Sequence, residues 1–126
     1  YKVLDKMVEH VKNLLIKLEL PFRIVRLCGG DLGFTSALTY DFEVYAMGQN
    51  KWLEVSSVSN FESFQSNRLN LKIDFGDKKK YCAHTLNGSS LALPRIVACI
   101  LENFQEKDHI KIPEILHKYT GFKQIK

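Results

Sequence analysis

The densest group of side chains able to do chemistry lies in residues 52–60, where Glu54 stands among Ser56, Ser57, Ser59 and Asn60 on what reads as a strand. Hard cations such as Mg²⁺ take oxygen ligands and complete their shells with water and substrate phosphates. The plain alternative is a solvated strand face whose serines cap the next segment. Geometry adds a difficulty. Glu54 and Ser57 have opposite parity, so a straight strand points them to opposite faces. They can share an ion only if the strand bends or ends there. A second group is 84–90, His-Thr-Leu-Asn-Gly-Ser-Ser. Thr85, Asn87 and Ser89 share parity and precede a helical pattern, where backbone N–H groups and a positive dipole end suit a small polar ligand. Asn87 or Ser89 could equally be the N-cap of that helix. Arg95 is the third candidate, alone in an apolar run one position after Pro94. It suits phosphate or an aromatic face, or else stands on the exposed side of the helix. Residues 29–33, Gly-Gly-Asp-Leu-Gly, follow a strand and could cradle phosphate. They lack the Gly-x-Gly-x-x-Gly and Lys-Ser/Thr patterns, and no helix pattern follows, so a plain turn explains them.

These groups must be positioned by a small set of elements. The chain has 126 residues, 45% hydrophobic and 25% charged, enough for one domain or part of one and too apolar for disorder. Residues 2–19 repeat apolar side chains at helical spacing, from Val3 and Leu4 to Leu15 and Leu18, and stop before Pro21. Residues 22–28 read as a strand. Tyr40, Phe42 and Val44 alternate with Asp41, Glu43 and Tyr45, and a turn at 48–51 joins them to a strand over 52–58, making an antiparallel hairpin. Residues 60–67 read as a short helix or irregular crossover. Residues 69–75 and 81–86 read as a strand pair around Gly76-Asp77, and a helix is expected over about 90–105. The tail from 106 is mostly polar. Helix, strands and helix in this order predict an α+β domain, an antiparallel β-sheet flanked by helices.

Composition excludes some classes. No apolar stretch reaches the roughly 20 residues of a membrane helix. The start is not a signal peptide and lacks Met, so the chain reads as a processed or excised piece, or one whose start was lost. A net charge of +4 permits a polyanionic partner without showing one, and the run Lys78-Lys79-Lys80 reads as a solvated turn. The three cysteines are far apart and the histidines scattered, so buried, reduced cysteines in a cytosolic protein are expected rather than disulfides or a zinc site.

In order and spacing, the groups resemble seryl-tRNA synthetase, of the class II aminoacyl-tRNA synthetases. The matching stretches are 27–35 (Leu-Cys-Gly-Gly-Asp-Leu-Gly-Phe-Thr), 40–44 (Tyr-Asp-Phe-Glu-Val), 54–61 (Glu-Val-Ser-Ser-Val-Ser-Asn-Phe) with Phe64-Gln65, and 84–89 (His-Thr-Leu-Asn-Gly-Ser) running through 91–95 (Leu-Ala-Leu-Pro-Arg) to 101–103 (Leu-Glu-Asn). The resemblance runs from the first helix almost to the C-terminus. It implies the class II catalytic fold and ATP-dependent activation of L-serine to seryl-adenylate, followed by transfer to tRNA(Ser). It further implies that Glu54, Val55, Ser56 and Ser57 contact ATP, with Glu54 and Ser57 as Mg²⁺ ligands. Asn87 and Ser89 match the positions that hold serine. Arg95 matches the motif 3 arginine, which contacts ATP, and Glu54 and Arg95 are the catalytic candidates. Ser90 stands where the family more often has glycine. The reaction needs no protein nucleophile, in keeping with the absence of a Cys/His or Ser/His arrangement.

The family's tRNA-binding coiled-coil arm, motif 1 and motif 2 have no counterpart in these residues. The segment 21–24 mimics motif 2 superficially, but no glutamate follows Arg23 at the motif's spacing, and Arg23 reads as a strand residue. The whole chain, 1–126, is therefore expected to be the C-terminal portion of a catalytic domain, inactive by itself, from a cytoplasmic enzyme that is homodimeric at full length. The alternative is a free-standing synthetase-like module that binds nucleotide, amino acid or a protein partner without charging tRNA. An RNA-binding module resting on net charge is a weaker third reading.

Overall fold

A computed structural model describes all of residues 1–126. Helix α1 (Lys2–Lys17) buries Leu4, Val11 and Leu15, the stripe that its 3.6-residue periodicity provides. It closes with Glu19 in the left-handed region at φ 56°. There the Glu19 N–H donates to the Ile16 carbonyl and the Leu20 N–H to the Leu15 carbonyl. These two bonds satisfy carbonyls that the helix end would leave open, and they turn the chain into the sheet.

The main sheet is antiparallel, in the order β1 (Phe22–Arg26), β2 (Leu38–Ala46), β3 (Lys51–Glu62) and β6 (Thr85–Gly88). Between β3 and β6 come a short helix, α2 (Phe64–Leu69), and a separate hairpin of β4 (Lys72–Asp74) and β5 (Lys80–Cys82). Helix α3 (Leu93–Asn103) follows β6, with Pro94 in its first turn, where a missing N–H costs nothing. The end of the chain forms β7 (Ile110–Lys111), a 3-10 turn at Glu114–Leu116, α4 (His117–Thr120) and β8 (Gln124–Ile125), with β7 paired to β8.

Helices α1 and α3 both pack on one face of the sheet. Their apolar stripes meet Phe42, Val44, Ala46, Val55 and Val58 in one core, with Ile96, Cys99 and Ile100 supplied by α3. The opposite face of the sheet carries Arg23, Asp41, Glu43 and Glu54. The expected α+β class is therefore the observed one.

Several boundaries differ from expectation. Strand β3 runs on to Glu62, because Val58 and Asn60 continue the buried alternation. The expected strand 81–86 is two strands: β5 closes the exposed hairpin, the chain breaks at Ala83 and His84, and β6 joins β3. Neither Asn87 nor Ser89 caps α3. Asn87 lies inside β6, and the N-cap is Ala92. Of the cysteines, only Cys99 is buried; Cys28 is exposed in the 28–32 turn and Cys82 is half-buried. Burial, and then the negative charge of Glu102, push the Cys99 thiol up, so it stays protonated and inert. The 29–33 glycines form the expected plain turn, closed by the Asp31 and Leu32 N–H groups on the Cys28 carbonyl.

The β2–β3 turn is tied down from α3. Glu102 accepts the Gly48 N–H at 3.0 Å, the Gln49 N–H at 3.2 Å and the Gln49 side-chain amide at 2.6 Å. A Cβ at position 48 would approach that carboxylate to 3.2 Å, so glycine is what permits this contact. Glu102→Ala should lower stability by about 1–3 kcal/mol, since hydrogen bonds to a charged group are worth about that much. Urea unfolding of the variant would measure the loss.

Candidate functional site

The antiparallel register sorts the outer face into rows. Arg23, Glu43 and Glu54 lie in one row across β1, β2 and β3, and Val25, Asp41 and Ser57 in the next. Thr39 and Ser59 form a third row, which Asn87 extends onto β6. Cross-strand partners project to the same side, so the rows are sets of neighbours on one surface.

The parity difficulty with Glu54 and Ser57 is resolved by a β-bulge. Phe42 pairs with Ser56 and Glu43 with Glu54, which leaves Val55 as an extra residue on β3. Consequently Val55 and Ser56 are consecutive buried residues, and the alternation changes phase between them. Glu54 upstream and Ser57 downstream thereby come to the same outer face. Val55 and Ser56 turn inward: Ser56 Oγ donates to the Ser89 carbonyl at 2.5 Å, and the Val55 carbonyl accepts the Ala92 N–H at 2.7 Å.

The segment joining β6 to α3 is stitched to the same stretch of β3. The Ser57 N–H donates to Ser89 Oγ at 3.1 Å, and the Ser89 N–H donates to the Ser57 carbonyl at 3.1 Å. The acidic strand and the Asn87–Ser89 corner are thus in direct contact, with the exposed Asn87 side chain next to Ser59 in the ladder. Arg95 reaches back from the first turn of α3 to the same point. Its Nη1 donates to the Glu54 carbonyl at 2.6 Å and lies 3.9 Å from Glu54 Oε2. With the two side chains 54% and 48% exposed, this ion pair adds little stability. What it contributes is position, setting a guanidinium beside the carboxylate at the edge of the face.

Around this centre most polar groups have partners. Arg23 Nε donates to Glu43 at 2.5 Å and its guanidinium lies 4.4 Å from the Trp52 ring centre. The hydroxyls of Thr39 and Ser59 are 2.7 Å apart. Thr85 Oγ1 donates to the Gln65 side-chain carbonyl at 2.7 Å, joining α2 to β6. Asp41 is the buried exception: its Oδ1 is shut off from solvent and has no hydrogen-bond partner. The alternation along β2 sets Asp41 and Glu43 opposite the core-facing Phe42 and Val44, and it is the sequence signal that puts them on this face although they are not among the candidate residues.

No group of three or more His, Cys, Asp or Glu side chains of these residues gathers around a common point. Glu54 with Ser57, one carboxylate and one hydroxyl on an exposed face, fits instead a hard cation that keeps water and phosphate oxygens in its shell. The outer face is open. None of the molecule's clefts includes Glu54, Ser57, Asn87 or Arg95; the one touching Ser89, about 150 Å³, lies on the helix side with Met7, His10, Val11, Val58, Gly88 and Ser90.

Residues 1–104 match the family model described as tRNA synthetase class II core domain (G, H, P, S and T). A serine–tRNA ligase of Finegoldia magna is 50% identical over 123 residues, covering 97% of this chain and 29% of its own length. One from Salinibacter ruber is 50% identical over 127 residues, covering 99% of this chain and 30% of its own. Among solved structures, the seryl-tRNA synthetase of Pyrococcus horikoshii complexed with ATP superposes with a TM-score of 0.94 at 43% identity, over 98% of this chain and 28% of that one. The cytoplasmic serine–tRNA ligase of Naegleria fowleri in complex with AMP gives 0.93 at 30% identity, over 99% of this chain. The chain spans 28–30% of the length of these relatives.

Proposed function

The chain belongs to the class II tRNA synthetase core family, and from that premise we propose that it forms part of the catalytic domain of a serine–tRNA ligase. In the first half-reaction a carboxylate oxygen of L-serine attacks the α-phosphate of ATP in line. A new P–O bond gives seryl-adenylate, and the bond to the β-phosphate breaks to release pyrophosphate. In the second, the seryl group passes to tRNA(Ser). The observation that carries the reading is the bulge at Val55, which brings Glu54 and Ser57 to one face and against the Asn87–Ser89 corner. An acidic candidate cation site and the polar Asn87–Ser89 corner adjoin there, as joining an amino acid to a nucleotide requires. That two of the similar structures hold ATP and AMP agrees with it.

Asn87 offers an exposed amide, and Ser89 a hydroxyl anchored on the Ser57 N–H, to the polar end of serine. A site that hydrogen-bonds a substrate hydroxyl rejects analogues lacking it by about 10⁴-fold or more. Arg95 sets its guanidinium where the polyphosphate and adenine would lie. Glu54 and Ser57 would hold Mg²⁺, which when bound offsets the polyphosphate charge and fixes its geometry. The whole arrangement works by positioning and charge neutralisation. The reading carries with it tRNA(Ser) as a partner and a homodimeric, cytoplasmic full-length enzyme. No helix of the chain is long and apolar enough to cross a membrane.

The test is exchange of labelled pyrophosphate into ATP by the full-length polypeptide. It should depend on serine and fail with alanine. The 126 residues alone should show none, because the outer face is open to water and the chain contains no Phe-Arg-x-Glu segment to bind the α-phosphate. Nucleotide binding with no serine-dependent exchange at full length would point instead to a module that does not charge tRNA.

A further inference from the structure

The carboxylate of Asp41 has no task in the arrangement above, and its position gives it one. Its Oδ1 is closed to solvent and unpartnered. A buried carboxylate oxygen without a donor is costly unless something completes it. The possible donors on the face are few. Thr39 and Ser59 are engaged with each other, and Arg23 with Glu43. On β1 the partner of Asp41 is Val25, which has nothing to give. On β3 its partner is Ser57.

Ser57 is fixed through its backbone. Both its N–H and its carbonyl are bonded to Ser89, on the edge of β3 away from β2. Asp41 and Ser57 are therefore a non-hydrogen-bonded pair, the type in which Cα atoms come to about 4.5 Å and side chains stand closer together. The Ser57 hydroxyl remains uncommitted. A serine hydroxyl has one proton and two lone pairs. If a lone pair is to point at a cation, the proton must point elsewhere, and a fixed acceptor on the other side holds it there.

We propose that Asp41 is the positioning residue of the cation site. Its Oδ1, unpartnered without the ion, would accept the Ser57 hydroxyl proton when the ion binds, turning the Ser57 lone pairs toward the ligand position it would share with Glu54 and raising their donor strength. Outer partners of this kind typically change metal affinity about 10–100-fold when removed. The role rests on the reading of Glu54 and Ser57 as cation ligands. The second carboxylate also adds negative charge beside the ion without entering its shell, in keeping with the absence of a clustered acidic cage.

Binding of Mn²⁺ to the full-length polypeptide in the presence of ATP, followed by loss of the free-ion electron spin resonance signal beyond that caused by the same ATP without protein, tests this without requiring turnover. Asp41→Ala should weaken Mn²⁺ binding about 10–100-fold, and Asp41→Asn, which keeps an acceptor oxygen, should recover part of the loss. In a Ser57→Ala background, Asp41→Ala should have almost no further effect. The thermal midpoint without metal should hold or rise in Asp41→Asn, since an unpartnered buried charge is removed; a residue needed only for the fold would lower it. Unchanged Mn²⁺ binding in Asp41→Ala while Glu54→Gln weakens it would overturn the role of Asp41 alone. So would additive losses in the double variant. No effect from Glu54→Gln either would overturn the cation site and this inference with it.

Discussion

Glu54→Ala in the full-length polypeptide should reduce serine-dependent ATP–pyrophosphate exchange by about 10²–10³-fold or more, the scale of losing a group that stabilises developing charge. The variant should still fold. Glu54 is exposed and its pair with Arg95 is solvated. The Arg95 guanidinium keeps its bond to the Glu54 main-chain carbonyl whatever side chain stands there. Lost exchange with an unchanged unfolding midpoint is the expected result. Glu54→Gln should behave alike, because it removes charge while keeping size. Full exchange in either variant would remove the carboxylate from the reaction.

Phe42→Ala should cost about 3–5 kcal/mol of stability, the range for deleting a buried aromatic ring. Against the total of about 5–15 kcal/mol typical of a native domain, that is a large share of the stability. Phe42 is fully buried in the middle of β2, and its ladder partner is Ser56 beside the bulge. The cavity would therefore open directly beneath the row that carries Asp41 and Ser57. Denaturant unfolding reads the first effect. Phe42→Leu separates the two, since a smaller volume change should cost only about 1–2 kcal/mol and leave the outer face in place. A loss under 1 kcal/mol in Phe42→Ala would mean that the site does not rest on this part of the core.

Much of the layout was legible because alternation and helical spacing record burial directly. Leu4, Val11 and Leu15 mark the buried stripe of α1, and Phe42 and Val44 the inward face of β2. The candidate residues Glu54, Ser57, Asn87, Ser89 and Arg95 do come together in the structure. How they do so was not legible. Parity placed Glu54 and Ser57 on opposite faces, and only the pairing with β2 reveals the extra residue between them. The division of 81–86 into two strands was hidden for the same reason: a strand's partner is a tertiary choice, and β5 and β6 have different ones. Asp41 was visible as an outward residue, but its unsatisfied oxygen depends on what every neighbour is bonded to, which no spacing rule encodes.

The bulge also has a mechanical side. In a regular strand successive carbonyls point to opposite edges, yet those of Glu54 and Val55, consecutive in the chain, both accept bonds from the segment that begins α3. Two tethers therefore run from the helix start to main-chain acceptors at one spot on β3, one from the Ala92 N–H and one through the Arg95 side chain. A shift of the start of α3 would reach the base of the Glu54 side chain through these bonds, by a route that skirts the core.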